Sequence, residues 1–523
     1  MASISDFVVN QDPKTTSNYY TALGVHPEYL NHYKRWEFLI KSYLGGYEFK
    51  MGQYLTRYVY ESDRDYLKRL QTTPYDNHVK AITHIYNSFI YRNPIRRDFG
   101  NIAETPELEA FLNDADLEGR TFDSVMRDVN AMSTVYGHVL CLIDKPKSQA
   151  MTRAEELNQN IRPYINIFTP ENILDWEFQR TPSGMYELSY LKLLEVEYRA
   201  NGANERYYVR KFTPETITLE QYKPEKPTTQ FILEQMPNEL GRIPAVFVYA
   251  NRSPVRGIGV SDIGDCADMA AAIHTELSEI EQGIRLSIHP SIVATPDTDL
   301  NAGAGAIIRI PPETDSGLRP YLLQSNGQNI DSIIQSIEQK VGMIDRMAMM
   351  SGIRSVQTRQ QSGIAMQTEY TLLDSKLTEK AKNLEVAEEQ MWRLFALWQG
   401  TVFDGKITYP VQFHIRDKNL DMDILEKAAR TNPADPMVKQ LIDDKIKETL
   451  VRDPYELAEM FEKYTITNEA EEYEKSSEPN DQTTLPDQID GNLLQHIKEM
   501  IASGASDADI LAMHPELTKI NNQ

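Results

Sequence analysis

Hydropathy periodicity changes twice along this 523-residue chain, and the order of the changes predicts an α+β protein. From residue 30 to about 136, apolar residues recur at three- and four-residue steps. From 139 to 250 they fall in short runs rich in Val, Ile, Tyr and Phe. Beyond 261 the helical period returns in patterns of more than twenty residues, interrupted once by a short β-like segment.

The first region holds helical patterns at 33–44, 79–91 and 122–135, with Gly45-Gly46, Pro74 and Pro94 as breaks. In the second region Tyr164-Ile165-Asn166-Ile167-Phe168, the run 188–193, Tyr207-Tyr208-Val209 and Ala245-Val246-Phe247-Val248-Tyr249 suit a pleated, half-buried surface. An α+β region of about 250 residues therefore precedes the long helices.

The first long pattern, 261–287, carries Ile263, Ala267, Ala270, Ile273, Leu277, Ile280 and Ile284 on one stripe. Ser261 or Asp262 can cap it, and its length of roughly 40 Å exceeds what a small core needs. The second pattern, Ile330, Ile333, Ile334, Ile337, Val341, Ile344 and Met347, follows Asn326-Gly327 and stops near Ser351-Gly352. Between them, strand-like runs at 291–294, 306–310 and 321–323 are separated by Pro and Gly. The pair reads as two helices carrying a β-rich tip; a helical hairpin with a β excursion inside an enzyme domain is the other reading. A polar segment from Arg354 to Gln361 then leads into a third helix bearing Tyr370, Leu373, Leu377, Leu384, Met391, Leu394 and Leu397.

This order, with Ser362-Gly363-Ile364-Ala365 opening the third helix, resembles the subunits of bacteriophage portal proteins, the head-to-tail connectors of tailed double-stranded DNA phages. Further pieces agree in order: Tyr66-Leu67-Lys68-Arg69, Asn77, 89–94, 170–176, Gly241-Arg242-Ile243-Pro244 and 305–311. The likeness spans about residues 43–400, and the last hundred residues match nothing in it. It implies an α+β wing at 1–258, a first stem helix at 259–287, a clip at 288–328 and a second stem helix at 329–352. A tunnel loop, a long kinked tunnel helix and a wing return strand would fill 353–420, with a helical crown and tail at 421–523. On the same resemblance, Ile273, Leu277, Ile280, Ile284, Ile333, Ile337 and Val341 pack the stems of a ring, expected to hold twelve copies. Arg354, Gln357, Thr358, Arg359, Gln360 and Gln361 line the channel and meet double-stranded DNA without reading its sequence. The implied protein is a virion component made in the host cytoplasm. It has no catalytic residue, cofactor or metal, and its partners are the terminase motor, the major capsid protein and head-tail adaptors.

Composition is compatible with that expectation. A content of 41% hydrophobic and 25% charged residues suits a soluble folded chain too long for one core, and no apolar run approaches a membrane span. The first residues lack the basic and apolar regions of a secretory signal, so synthesis in the cytoplasm is expected. Cys141 and Cys266, the two cysteines, sit in apolar surroundings and read as buried thiols. A formal charge of −23 argues against gripping DNA by its phosphates, because such grip needs Lys/Arg clusters that release counterions. An acidic channel wall would instead let a duplex slide.

Catalytic patterns are nearly absent. Neither Gly45-Gly46 nor Gly405-Lys406 belongs to a phosphate-cradling Gly-x-x-x-x-Gly-Lys-Ser/Thr loop. Gly257-Ile258-Gly259 lacks the third glycine of a dinucleotide fingerprint, so it and Gly303-Ala304-Gly305 read as turns. Asp114-Ala115-Asp116 and Asp421-Met422-Asp423 read as turns or caps without supporting metal ligands. His274 lies in a helix and reads as packed or solvated. After 410, a strand at 411–415, helices near 424–430, 436–450 and 454–464, an acidic linker at 469–490 and a small helical pair at 493–513 complete the chain. The pair's small positive charge argues against DNA readout. A multidomain cytoplasmic enzyme without a readable active site is the alternative to the ring protein.

Overall fold

Short polar residues place the helix starts in the first part of the chain. In the computed structural model, residues 23–147, 152–197, 206–223, 226–288, 291–293, 315, 317, 321–323, 328–351, 363–411 and 413 are described. The chain divides into two units, Met1–Ile415 and Arg416–Gln523, and every described residue belongs to the first. α1 (Pro27–Leu44) starts behind His26, whose Nδ1 accepts the Glu28 N–H, with Pro at the first helical position where no N–H is needed. It stops at Gly45, where φ is 69° and a Cβ would lie 2.3 Å from Asn77, so the break is glycine-specific. α2 (Gly46–Met51) follows, then α3 (Asp63–Thr72), capped by Ser62 Oγ on the Asp65 N–H, and α4 (His78–Ile90), capped by Asn77 on Lys80. α5 (Pro106–Asn113), α6 (Phe122–Tyr136) and α7 (Arg153–Asn158) complete this set.

The expected helices at 33–44, 79–91 and 122–135 are present within a few residues. α2, α3, α5 and α7 were not expected. They are short, and α2, α3 and α5 bury at most two apolar residues each, too few to produce a readable stripe.

The strands form separate antiparallel sheets. β1 (Arg96–Asp98) pairs with β14 (Lys406–Thr408), bringing Arg97 opposite Ile407. β2 (His138–Asp144) lies between β3 (Tyr164–Phe168) and β9 (Ala245–Tyr249). Its residues 138–143 are all buried, as a strand covered on both faces requires. β4 (Ile173–Arg180), β5 (Tyr186–Glu197), β6 (Arg206–Phe212), β7 (Thr216–Lys223) and β8 (Lys226–Pro237) form a five-stranded meander in that order. β10 (Asn251–Arg252) and β11 (Gly259–Val260) make a small ribbon. β14 precedes the strand expected at 411–415; of that run only Val411 and Phe413 are among the described residues, and neither is in a strand. Ile407, Tyr409 and Phe413 are all buried there, and among the described residues of this stretch only 406–408 has a partner strand, β1.

Three long helices carry the rest: α8 (Gly264–Ile288), α9 (Gln328–Met347) and α10 (Gly363–Trp398). Between α8 and α9, β12 (Ser291–Val293) pairs with β13 (Tyr321–Leu323), as expected for the ends of the tip; the run at 306–310 lies outside the described residues. α10 is one uninterrupted 36-residue helix, and it packs along β9 and β2. Trp392 at its C-terminal end meets Phe99, Phe111, Phe122 and Phe395 in an aromatic cluster.

Candidate functional site

The α8–α9 hairpin is the element the sequence singled out, and its root is fixed by backbone contact. Gly137, at φ 94°, ends α6, and a Cβ on Gly259 would sit 2.1 Å from the Gly137 carbonyl oxygen. Two glycines therefore allow β11 to cross the end of α6. Ser261 Oγ donates to the carbonyls of Thr134 and Val135 and accepts the Ile263 N–H, just ahead of α8. Asp262 does not cap the helix. Its carboxylate lies 2.8 Å from both Lys376 Nζ and Lys380 Nζ of α10 and accepts from Asn251 Nδ2 at 2.7 Å. Burial pushes this carboxyl up, and Lys380 and Lys376 more than reverse it, holding the group at about 2.

α8 is clasped from opposite sides. On one side, Arg69 of α3 is buried, donates to Ser278 Oγ at 2.8 Å, and makes two bonds of 2.7 Å to Glu61. His274 is also buried there, its Nδ1 2.9 Å from the Pro74 carbonyl and its ring edge-on to Phe49 and Tyr75. Burial keeps His274 below its ordinary pKa, so it is a packed neutral imidazole. On the other side, Glu276 pairs with Lys340 at 2.5 Å and accepts from Ser336 Oγ at 2.8 Å. Gly283 faces Ile330, and Ser291 stands opposite Leu323. These pairings step outward together, so α8 and α9 run antiparallel and continue into the β12–β13 ribbon.

Burial declines along the hairpin. Ile273 is 1% exposed, Leu277 and Ile280 are partly buried, Ile284 is 39% exposed and Ile288 is 66% exposed. On α9, Ile344 is fully buried, Val341, Ile337 and Ile333 are partly buried, and Ile334 is 41% exposed. The root sits in the core while the distal half keeps apolar side chains in solvent. Ile273 is already enclosed by its own chain, which leaves it no surface for a neighbour. Leu277, Ile337 and Val341 also pack against the chain's own core. Arg354, Gln357, Thr358, Arg359, Gln360 and Gln361 lie outside the described residues, as do Asp421, Asp423 and residues 424–513.

No family model matches the chain, and no curated protein matches it. Solved structures that align with it include a chain from the virion of a native gene transfer agent particle, at 9% identity and a TM-score of 0.37, covering 70% of this chain and 88% of that one. A chain from the neck of an empty gene transfer agent particle, computed with C6 symmetry, aligns at 9% identity and 0.39, covering 70% and 89%. A chain from the neck of the native particle, computed with C12 symmetry, aligns at 9% identity and 0.38, covering 75% and 97%.

Sequence reasoning read Asp262 as a candidate cap and Arg69 only as part of a matching run, and it missed Lys376, Lys380 and Glu61. Lys376 and Lys380 stand four residues apart beside Leu373, Leu377, Ala381 and Leu384 of α10, and two lysines on an apolar face are the signal that a buried anion awaits them. Arg97, Glu388 and Tyr409 form a second buried cluster, with Arg97 Nε 2.6 Å from Glu388 Oε1 and the Tyr409 hydroxyl 2.6 Å from Oε2. Asp114 and Asp116 accept backbone N–H groups and pair with Arg162 and Arg120, so they shape a turn. Cys141 and Cys266 are buried. Among the described residues no group of His, Cys, Asp and Glu is placed to hold a metal ion, and no helix is long and apolar enough to cross a membrane.

Proposed function

We propose that this chain is the subunit of a ring-shaped portal: the virion protein at one capsid vertex through which double-stranded DNA is packaged and ejected. In this reading α8 and α9 are the stem, the segment between them is the clip, and α10 follows the tunnel loop. The observation that carries it is the fall in burial along α8 from Ile273 to Ile288. Exposed Ile284, Ile288 and Ile334 on a projecting hairpin are costly in a lone subunit, and side-by-side packing of identical hairpins in a cyclic ring would cover them. A clip at the end of such a column is the surface for the terminase motor and then for head-tail adaptors, and the wing is the surface for the major capsid protein. In this reading residues 353–362, which lie outside the described residues, are assigned to the DNA path, with Arg354 and Arg359 as the cations for phosphate and Gln357, Thr358, Gln360 and Gln361 as sequence-independent hydrogen-bonding groups.

The reading requires no catalytic group, cofactor or metal. It gives the ion pairs of Asp262 and Arg69 a structural role, holding the stem at a fixed angle to the body. Negative-stain images of the purified protein test it. Rings with a central lumen are expected, and uniform particles the size of a single chain would sink the proposal.

A further inference from the structure

A closed ring needs two different surfaces on each subunit, one for each neighbour. Resting on the ring reading above, the structure carries a candidate for each, and they lie on opposite sides of α8. Glu276 faces α9, while Ser278 faces Arg69 of α3; two residues along a helix are about 200° apart around its axis. α3 and α9 therefore flank α8 as two sides of one column.

On the α3 side, the loop before the helix holds its shape. Arg69 bonds Glu61 twice and the Thr56 carbonyl once, each at 2.7 Å, and its guanidinium stacks 4.0 Å over the Tyr58 ring. The tip of this braced loop is apolar: Val59 is 90% exposed and Tyr60 is 99% exposed. A loop pinned at its base cannot fold over its own tip, so the pair projects as a preformed knob, and rigid aromatic tips are favoured as binding anchors. Beside it, Arg64, Leu67 and Lys68 are exposed and share one face of α3 by their three- and four-residue spacing.

On the α9 side, Asp331, Ile334 and Glu338 are exposed at the same spacing and form one stripe. An isoleucine flanked by two carboxylates is complementary in charge to a leucine flanked by two cations. We propose that Val59, Tyr60, Arg64, Leu67 and Lys68 of one subunit dock on the Asp331–Ile334–Glu338 stripe of the next copy of this chain, and that this contact closes the ring.

Native mass spectrometry of the full chain over a dilution series tests this with charge reversals. Lys68→Glu and Glu338→Lys are each expected to raise the subunit concentration at half-assembly by about tenfold, and Tyr60→Ser likewise. The double variant Lys68→Glu/Glu338→Lys recreates the opposite pair and is expected to return within about threefold of wild type. Melting temperatures measured below the assembly concentration should not move, since the substituted side chains are exposed in the subunit. Single variants that assemble like wild type, or a double variant no better than the worse single, overturn the pairing and leave the ring itself standing. A wild-type chain that never forms a ring overturns both.

Discussion

The carboxylate of Asp262 and the ammonium of Lys380 lie 2.8 Å apart, with side chains 1% and 2% exposed, and they join the root of α8 to the middle of α10. Lys376 completes the cluster from the previous turn of α10. A buried pair of this kind contributes little net stability over an apolar substitute, but removal of one member leaves an uncompensated charge. Asp262→Asn is therefore expected to cost about 3 kcal/mol in urea unfolding, and Asp262→Asn with Lys380→Met should recover part of that loss. Equal stability of Asp262→Asn and wild type would show that the cluster does not anchor the helices.

The same carboxylate sets an acid response. Its folded pKa of about 2 lies below its ordinary 3.8, so the folded state binds its proton less readily than the unfolded chain does. This stability is fully present above pH about 4 and is lost as pH falls through 2, a change of about 2 kcal/mol for this one group. Unfolding followed between pH 5 and 2 should show a shallower slope in Asp262→Asn than in wild type. Parallel curves would count against the low pKa.

Gly259→Ala probes the crossing of β11 over α6. The added Cβ would sit 2.1 Å from the Gly137 carbonyl oxygen, a backbone atom that cannot swing away as a side chain does. A loss of several kcal/mol, on the order of 3, is expected, visible as a lowered melting temperature or insoluble protein. A wild-type melting temperature would mean that the two backbones are not in contact.

How the chain folds here was only partly legible in its residues. α8, α9 and α10 were readable because each repeats an apolar residue every third or fourth position for five turns or more. β3 and β9 were readable because aromatic and β-branched residues fill four of five successive positions. The short α3 was not, because its buried face holds only Tyr66, Leu70 and the polar Arg69. The anchors of α8 were equally hidden: Arg69 meets Ser278 and Asp262 meets Lys380 across long separations in sequence, and no local period encodes such pairings. The stripe on α8 was correctly seen as one face, but periodicity cannot say which part of it the chain covers for itself. Ile273 belongs to the core, whereas Ile284 and Ile288 stay exposed.

Arg354→Glu with Arg359→Glu tests the channel assignment. These are the two cations of the 353–362 segment, and an acidic chain offers few others to meet phosphate there. Rings should form as in wild type, while the yield of packaged DNA or its retention falls. Unchanged yield and retention would remove the segment from the DNA path.

The central claim is that identical hairpins pack side by side into a closed ring, and native mass measurement of the intact protein tests it most directly. Twelve copies of the 60.0 kDa chain give a particle of about 720 kDa, and Ile284→Asp with Ile288→Asp, which places charge on the uncovered stripe, should leave folded single chains at 60.0 kDa. A wild-type protein that remains at 60.0 kDa at micromolar concentration would contradict the account, as would a double variant that still assembles in full.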